Sequence, residues 1–196
     1  MSFRFERKAL FHFSDYIKIK KLIFDKGGSI LFPKRIIKSL YFDNYDKQTF
    51  VDSEEGSSPR KKIRIRTYPE SNLKNFFLEK KISSVEGRFK LSKKLKQSEY
   101  ISFLKNGVFD DQYGNCYPLM WVTYEREYFS VLGKRVTIDK NIKYKKYNQF
   151  KEYFDSENVI LEAKSNMLEK TNIFDDLPQF TEVRVSKYCN SIHKNF

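Results

Sequence analysis

Stretch after stretch of this sequence sets a charged side chain at every second position, with apolar residues between. Arg4, Glu6 and Lys8 alternate with Phe3, Phe5 and Ala9; Lys62, Arg64 and Arg66 alternate with Ile63 and Ile65; Glu79 and Lys81 share a side with Phe77, opposite Leu78 and Ile82. Tyr124, Arg126 and Tyr128 continue the pattern, followed by Arg135, Thr137 and Asp139 against Val136 and Ile138, Glu162 and Lys164 against Leu161 and Ala163, and Arg184 and Ser186 against Val183 and Val185. In a β-strand, residues two apart share a face, so each stretch carries its charges on one side. A single strand of this kind is an ordinary sheet with one wet face. The set says more, because it collects arginine, whose planar fork suits bidentate contact with phosphate oxygens, and keeps few carboxylates.

If these strands close with the charged side inward, the cations crowd a water-poor space and repel one another unless a polyanion neutralises them. A chain of phosphates meets that requirement. Glu6, Glu79 and Glu162 then have two readings. They supply oxygen ligands to Mg²⁺ or Mn²⁺, which bridges phosphate oxygens, or they form salt bridges to neighbouring arginines.

The elements that must position these residues are mostly short runs rich in Ile, Val, Phe and Tyr. Strands are expected over residues 3–13, 36–44, 61–68, 75–82, 90–95, 121–131, 134–142, 158–164 and 182–186. Helices are expected over residues 14–26, with Ser14 as N-cap and Gly27-Gly28 beyond the end, after Gln97 with Gly107 as the stop, and from about Ser186. Residues 46–59 and 109–118 read as exposed loops. The fold read from these elements is mainly β with helical insertions, in one domain spanning 1–196.

Composition narrows the function. The chain has 196 residues, of which 40% are hydrophobic, enough for one sizeable core. Its net charge of +13 implies an acidic partner, be it nucleic acid, an anionic membrane or polyphosphate. Runs such as Lys18, Lys20 and Lys21 read as solvated faces. No RNP-like or KH-like signature supports RNA binding. Cys116 and Cys189 fit neither a disulfide framework nor a metal site and read as reduced thiols, and His12 and His193 belong to no catalytic constellation. The N-terminus has no uninterrupted apolar stretch for secretion, and no stretch has membrane-spanning length, so a cytoplasmic protein is expected.

The ordered motifs Glu6-Arg7-Lys8, Leu40-Tyr41-Phe42-Asp43, Arg64-Ile65-Arg66, Leu78-Glu79-Lys80-Lys81, Tyr124-x-Arg126, Arg135-Val136-Thr137-Ile138-Asp139, Leu161-Glu162-Ala163-Lys164 and Ser186-Lys187-Tyr188 resemble the VTC (vacuolar transporter chaperone) domain of the triphosphate tunnel metalloenzymes. The resemblance runs in order from Phe3 to about Ile192. It implies a mainly antiparallel β (α+β) fold, an eight-stranded closed barrel forming a tunnel with peripheral and C-terminal helices, and a polyphosphate polymerase that transfers the γ-phosphate of ATP onto polyphosphate with Mn²⁺ or Mg²⁺. Carried over by position, Lys8, Arg64, Arg66, Lys81, Lys90, Arg126, Arg135, Ser186 and Lys187 bind phosphate. Lys8, Arg64, Arg66, Arg126 and Glu162 form the catalytic group. Lys164 and Arg184 join the phosphate-binding set, Arg184 standing where the family can carry lysine. Glu162 matches the metal-binding glutamate, with Glu6 and Glu79 as further metal candidates, and Tyr124 matches an aromatic beside the nucleotide. The expected ligands are ATP or another triphosphate and polyphosphate, without nucleic acid. The absence of a regulatory SPX-like region and of a membrane segment fits a free-standing microbial form and leaves open a membrane-anchored partner. Hydrolysis of tripolyphosphate or a nucleoside triphosphate, and non-catalytic polyphosphate binding, are the alternatives.

Overall fold

The computed structural model describes residues 4–70, 75–85, 87–166 and 181–195. It holds the strands β1 (Arg4–His12), β2 (Ser29–Asp43), β3 (Arg60–Thr67), β4 (Phe76–Ser84), β5 (Gly87–Leu95), β6 (Val108–Asp110), β7 (Gly114–Val131), β8 (Lys134–Lys146), β9 (Glu152–Asp155) and β10 (Asn158–Asn166). Four helices join them: α1 (Tyr16–Asp25), α2 (Gln48–Glu55), α3 (Gln97–Asn106) and α4 (Lys187–His193). The pairs β1·β10, β10·β8, β2·β3, β3·β4, β4·β5 and β6·β7 are all antiparallel. The mainly antiparallel class expected from the sequence is therefore observed. The path of pairings, β1-β10-β8-β7-β2-β3-β4-β5, ends at β1 and β5, so the pairings do not by themselves close a barrel.

The chain forms two compact units, and β2, β7 and β8 each contribute residues to both. In the first, built on residues 1–36, 124–142 and 154–185, Tyr16, Ile19 and Ile23 of α1 pack on Phe129, Val131, Val136, Ile138, Val159, Leu161 and Ala163. In the second, Leu40, Phe42, Ile63 and Ile65 form the core with Phe76 and Leu95, covered by Tyr100, Phe103 and Leu104 of α3. Both cores lie on the apolar side of the alternation, so the charged side of each strand faces the other way.

The helical readings hold with adjusted ends. A 3₁₀ turn over Phe13–Asp15 precedes α1, and Ser14 belongs to that turn, bonding His12, instead of capping the helix. Gly107 ends α3 at φ 78°, where a Cβ would stand 2.6 Å from the Cys116 carbonyl oxygen, so only glycine fits. Ser186 caps α4 by accepting from the Cys189 N–H.

Three readings are corrected. Residues 46–59 contain α2, which its sequence hides because the buried positions are the small polar Thr49 and Ser53. The Asp43 carboxylate accepts from the Thr49 and Phe50 N–H groups at 3.0 and 3.1 Å, and Asn44 accepts from Gln48 at 2.9 Å, so the helix is capped from outside itself. Residues 109–118 belong to a hairpin: they hold the end of β6 and the start of β7, joined by a tight turn at 111–113 that the pairing of Asp110 with Gly114 closes. The strand expected over 182–186 shrinks to one bridge, Ala9 with Glu182. Among the described residues, no helix is long and apolar enough to cross a membrane.

Candidate functional site

In the second unit, β3, β4 and β5 lie side by side in a register that aligns Arg64 with Glu79, and Lys62 with Lys81 and then Lys90. Lys62, Arg64, Arg66, Lys81 and Lys90 thus share a face on which Glu79 is the one carboxylate these three strands supply. Glu79 is 3% exposed. Its Oε2 accepts from Arg64 Nε at 2.8 Å and lies 2.6 Å from Arg64 Nη2, with Arg66 Nη1 at 3.7 Å, while Lys90 Nζ is 3.1 Å from Oε1. Arg64 also donates to the Tyr41 hydroxyl at 2.9 Å. Tyr41 stacks on Tyr188 at 5.0 Å, and Tyr188 donates to the Asp43 carboxylate, so the cap of α2 and the clamp on Arg64 form one support. Lys62 donates to the Ser186 hydroxyl at 2.9 Å, which ties the row to the start of α4.

Burial pushes the Glu79 carboxyl upward, but Arg64, Arg66 and Lys90 outweigh it and hold the group at about 2, below its ordinary 4.5. Because the folded value is the depressed one, the stabilisation is complete above about pH 4.5 and disappears as the pH falls toward 2. It amounts to on the order of 3 kcal/mol. Acid unfolding of the wild type is therefore expected to steepen below pH 4.5, and Glu79→Gln to flatten that limb; equal acid limbs in a denaturant titration would contradict the assignment.

The first unit holds a second cluster. Arg126 Nε and Nη2 donate to the two oxygens of Asp139 at 2.5 and 2.6 Å, and Nη2 stands 3.7 Å from Glu162. Burial opposes the Arg126 charge, but Asp139 outweighs it and keeps the guanidinium protonated well above its ordinary range. The arginine also lies 5.3 Å from the Tyr124 ring centroid. Lys164 Nζ sits between two carboxylates, 3.0 Å from Glu6 and 3.1 Å from Glu162. Lys8, aligned with Glu162, donates to the Val185 carbonyl at 3.1 Å. On the same face, Arg135 Nε and Thr137 Oγ1 are buried and meet no hydrogen-bond partner among the described residues.

The expected residues thus fall into two sets. Arg64, Arg66, Lys81, Lys90, Glu79 and Ser186 come together in the second unit, with Lys187 as the first residue of α4. Lys8, Glu6, Tyr124, Arg126, Arg135, Glu162 and Lys164 lie in the first, where Arg184 is exposed beyond the Glu182 bridge. Sequence reasoning did not single out Asp139, Tyr41, Tyr188 or Lys62 for a role. Asp139 and Tyr41 carry a detectable signal, each sharing a charged face with an arginine, whereas Tyr188 owes its place to tertiary packing.

Among the described residues, no three His, Cys, Asp or Glu side chains gather as a ready metal set. A hard divalent cation in a phosphate site needs fewer, since Mg²⁺ is commonly held by one or two carboxylates together with substrate phosphates. Glu6 and Glu162 fit that role, because both already converge on one cationic nitrogen. Glu79 has cations on both oxygens.

No curated protein sequence matches the chain. Among solved structures it is similar to a candidate adenylate cyclase from Bacillus halodurans, at 16% identity and a TM-score of 0.66, covering 100% of this chain and 98% of that one. A candidate adenylyl cyclase from Hippeastrum with a dominant triphosphatase activity is 12% identical with a TM-score of 0.58, over 98% and 97% of the two chains. A candidate adenylate cyclase from Vibrio parahaemolyticus is also 12% identical, with a TM-score of 0.57 over 98% of each chain. At these identities the likeness establishes a shared fold. The VTC-domain family model matches residues 3–114 and 109–196, and the chain belongs to that family.

Proposed function

We propose that this protein is a metal-dependent polyphosphate polymerase in which the eight strands of the path β1-β10-β8-β7-β2-β3-β4-β5 close as one domain into a cationic tunnel. The observation that carries the reading is the pair of charged faces, where arginines and lysines outnumber carboxylates and the buried Arg135 Nε and Thr137 Oγ1 meet no hydrogen-bond partner among the described residues. Buried donors of this kind are rare in native proteins, and phosphate oxygens would satisfy them.

In this reading the terminal oxygen of a polyphosphate chain attacks the γ-phosphorus of ATP, the bond to the β-phosphate oxygen breaks, and ADP leaves. Arg64 and Arg66, fixed by Glu79 and Tyr41, hold the triphosphate with Lys81, Lys90, Ser186 and Lys187. Arg126 is held in place by Asp139 and meets charge that develops on the transferred group, with Lys8 beside it. Lys164, Arg135 and Arg184 extend the anionic path, and Tyr124 lies against the nucleotide. Glu162 and Glu6 would hold Mn²⁺ or Mg²⁺, and Glu79 serves charge balance. The metal, when bound, would act as a Lewis acid that neutralises charge on the phosphates. No general base is required, since phosphoryl transfer rests mainly on positioning and charge. An ATP-dependent reaction without nucleic acid is consistent with a cytoplasmic protein.

Hydrolysis by the same site is the second reading, favoured by the triphosphatase activity of the similar Hippeastrum protein. Incubating the purified protein with ATP and Mn²⁺, then resolving the products on a polyphosphate gel, separates the readings. Long chains support polymerisation, orthophosphate supports hydrolysis, and unchanged ATP leaves a binding protein. Arg64→Ala and Arg66→Ala are each expected to weaken tripolyphosphate binding by about 1.5–3 kcal/mol in calorimetric titration, the scale of a charge-assisted hydrogen bond. Unaltered affinity in both would remove β3 from the site.

A further inference from the structure

Beside Arg135, the first unit holds Arg35, Tyr128 and Phe32, which have no place in the reaction just described. Arg35 of β2 and Arg135 of β8 both lie against the Tyr128 ring of β7, their guanidinium carbons 5.2 and 5.4 Å from its centroid. Phe32 meets the same ring edge-on at 5.8 Å and 85°. Tyr128 is buried, whereas Phe32 is 44% exposed, so the ring forms the base of this group and Phe32 its rim. A guanidinium within about 6 Å of a ring centroid is attracted by the ring without using up its N–H donors, which stay the natural partners of phosphate oxygens.

Two further observations point to an anion. The Arg135 Nε is buried and unmet among the described residues, so an acceptor from outside would complete it. In the strand register Arg135 is aligned with Lys164, and Lys164 with Glu6, so the ring and its arginines adjoin the Glu6–Lys164–Glu162 cluster on one face. A linear chain lying along Glu162 and Lys164 would reach Arg135 next.

We infer that Arg35, Tyr128 and Phe32, together with Arg135, form a further phosphate subsite that grips a linear polyphosphate beyond the groups a triphosphate can occupy. The inference rests on the proposed function and adds selectivity for chain length.

The test is calorimetric titration of the whole protein, at fixed ionic strength, with tripolyphosphate and with a linear polyphosphate several times longer. The wild type is expected to bind the longer chain more tightly than its number of repeated units explains. Arg35→Ala and Arg35→Glu are expected to remove that advantage, about tenfold for a lost charge-assisted contact, and to leave tripolyphosphate affinity unchanged. Phe32→Ala, at an exposed position, reads the same subsite if the Arg35 variants unfold, and should also weaken only the longer chain. Equal weakening of both probes, or no length advantage in the wild type, overturns the subsite. Failure of wild-type protein to bind tripolyphosphate at all would instead sink the proposed function, so the two failures are distinct.

Discussion

Asp139→Asn is expected to cost about 3–5 kcal/mol of folding stability, the scale for breaking a buried ion pair from one side. Asp139 is 0% exposed and accepts a hydrogen bond from Arg126, itself 7% exposed, on each of its carboxylate oxygens. Asparagine keeps the shape but not the charge, so a buried guanidinium would retain only Glu162, at 3.7 Å, as a carboxylate partner among the described residues. In a chain of this size, a loss of that scale lowers the melting temperature by on the order of 10 °C. The same variant probes the function. With its internal partner gone, Arg126 gains more from an anionic ligand, and ligand that binds only the native state stabilises it by mass action. Tripolyphosphate is therefore expected to raise the melting temperature of Asp139→Asn more than that of the wild type. A variant as stable as wild type would show that Arg126 is balanced elsewhere, and an equal ligand effect would remove Arg126 from the phosphate path.

The charged faces were legible because alternation is a local signal: the period of two in Lys62-Ile63-Arg64-Ile65-Arg66 needs no knowledge of neighbouring strands. What lies opposite each residue is not local. The choice between metal ligand and salt bridge for Glu79 stayed open because it depends on register. Once Arg64 faces Glu79 across β3 and β4, and Lys90 reaches it from β5, both oxygens are taken. Lys90 came from the family resemblance and not from the alternation, with Arg88 and Lys93 close by in sequence, and it is the alignment with Lys81 that places it in the row. The helix α2 escaped notice for the converse reason, because what holds it is the Asp43 carboxylate upstream and its own buried side is polar. Asp139 sat inside a recognised motif, yet its role as the partner of Arg126 emerges only where β7 and β8 bring the two side chains together. The arginine pair on Tyr128 was equally hidden, because Arg35 lies in a part of β2 that the apolar pattern did not mark as a strand.

Glu162→Gln is expected to lower the metal-dependent rate by on the order of 10²–10³-fold, the cost of losing one preorganised group that meets transition-state charge. The fold should survive. Glutamine can still accept from Lys164, whose charge keeps Glu6 at 3.0 Å, and Arg126 keeps its bidentate contact with Asp139. The melting temperature should consequently stay close to that of wild type while Mn²⁺ affinity, followed by spectroscopic titration in the presence of tripolyphosphate, falls. Glu79→Gln provides the contrast, for it removes the one carboxylate among Arg64, Arg66 and Lys90. Those cations then carry more uncompensated charge, so tripolyphosphate should bind more tightly as the protein becomes less stable, with Mn²⁺ affinity unaltered. If Glu79→Gln lost the metal and Glu162→Gln did not, the metal would belong to the second unit and the assignment of Glu162 and Glu6 would be wrong. If neither variant changed Mn²⁺ binding, the carboxylates would be structural counter-charges, and the arginine faces would serve polyphosphate binding without turnover.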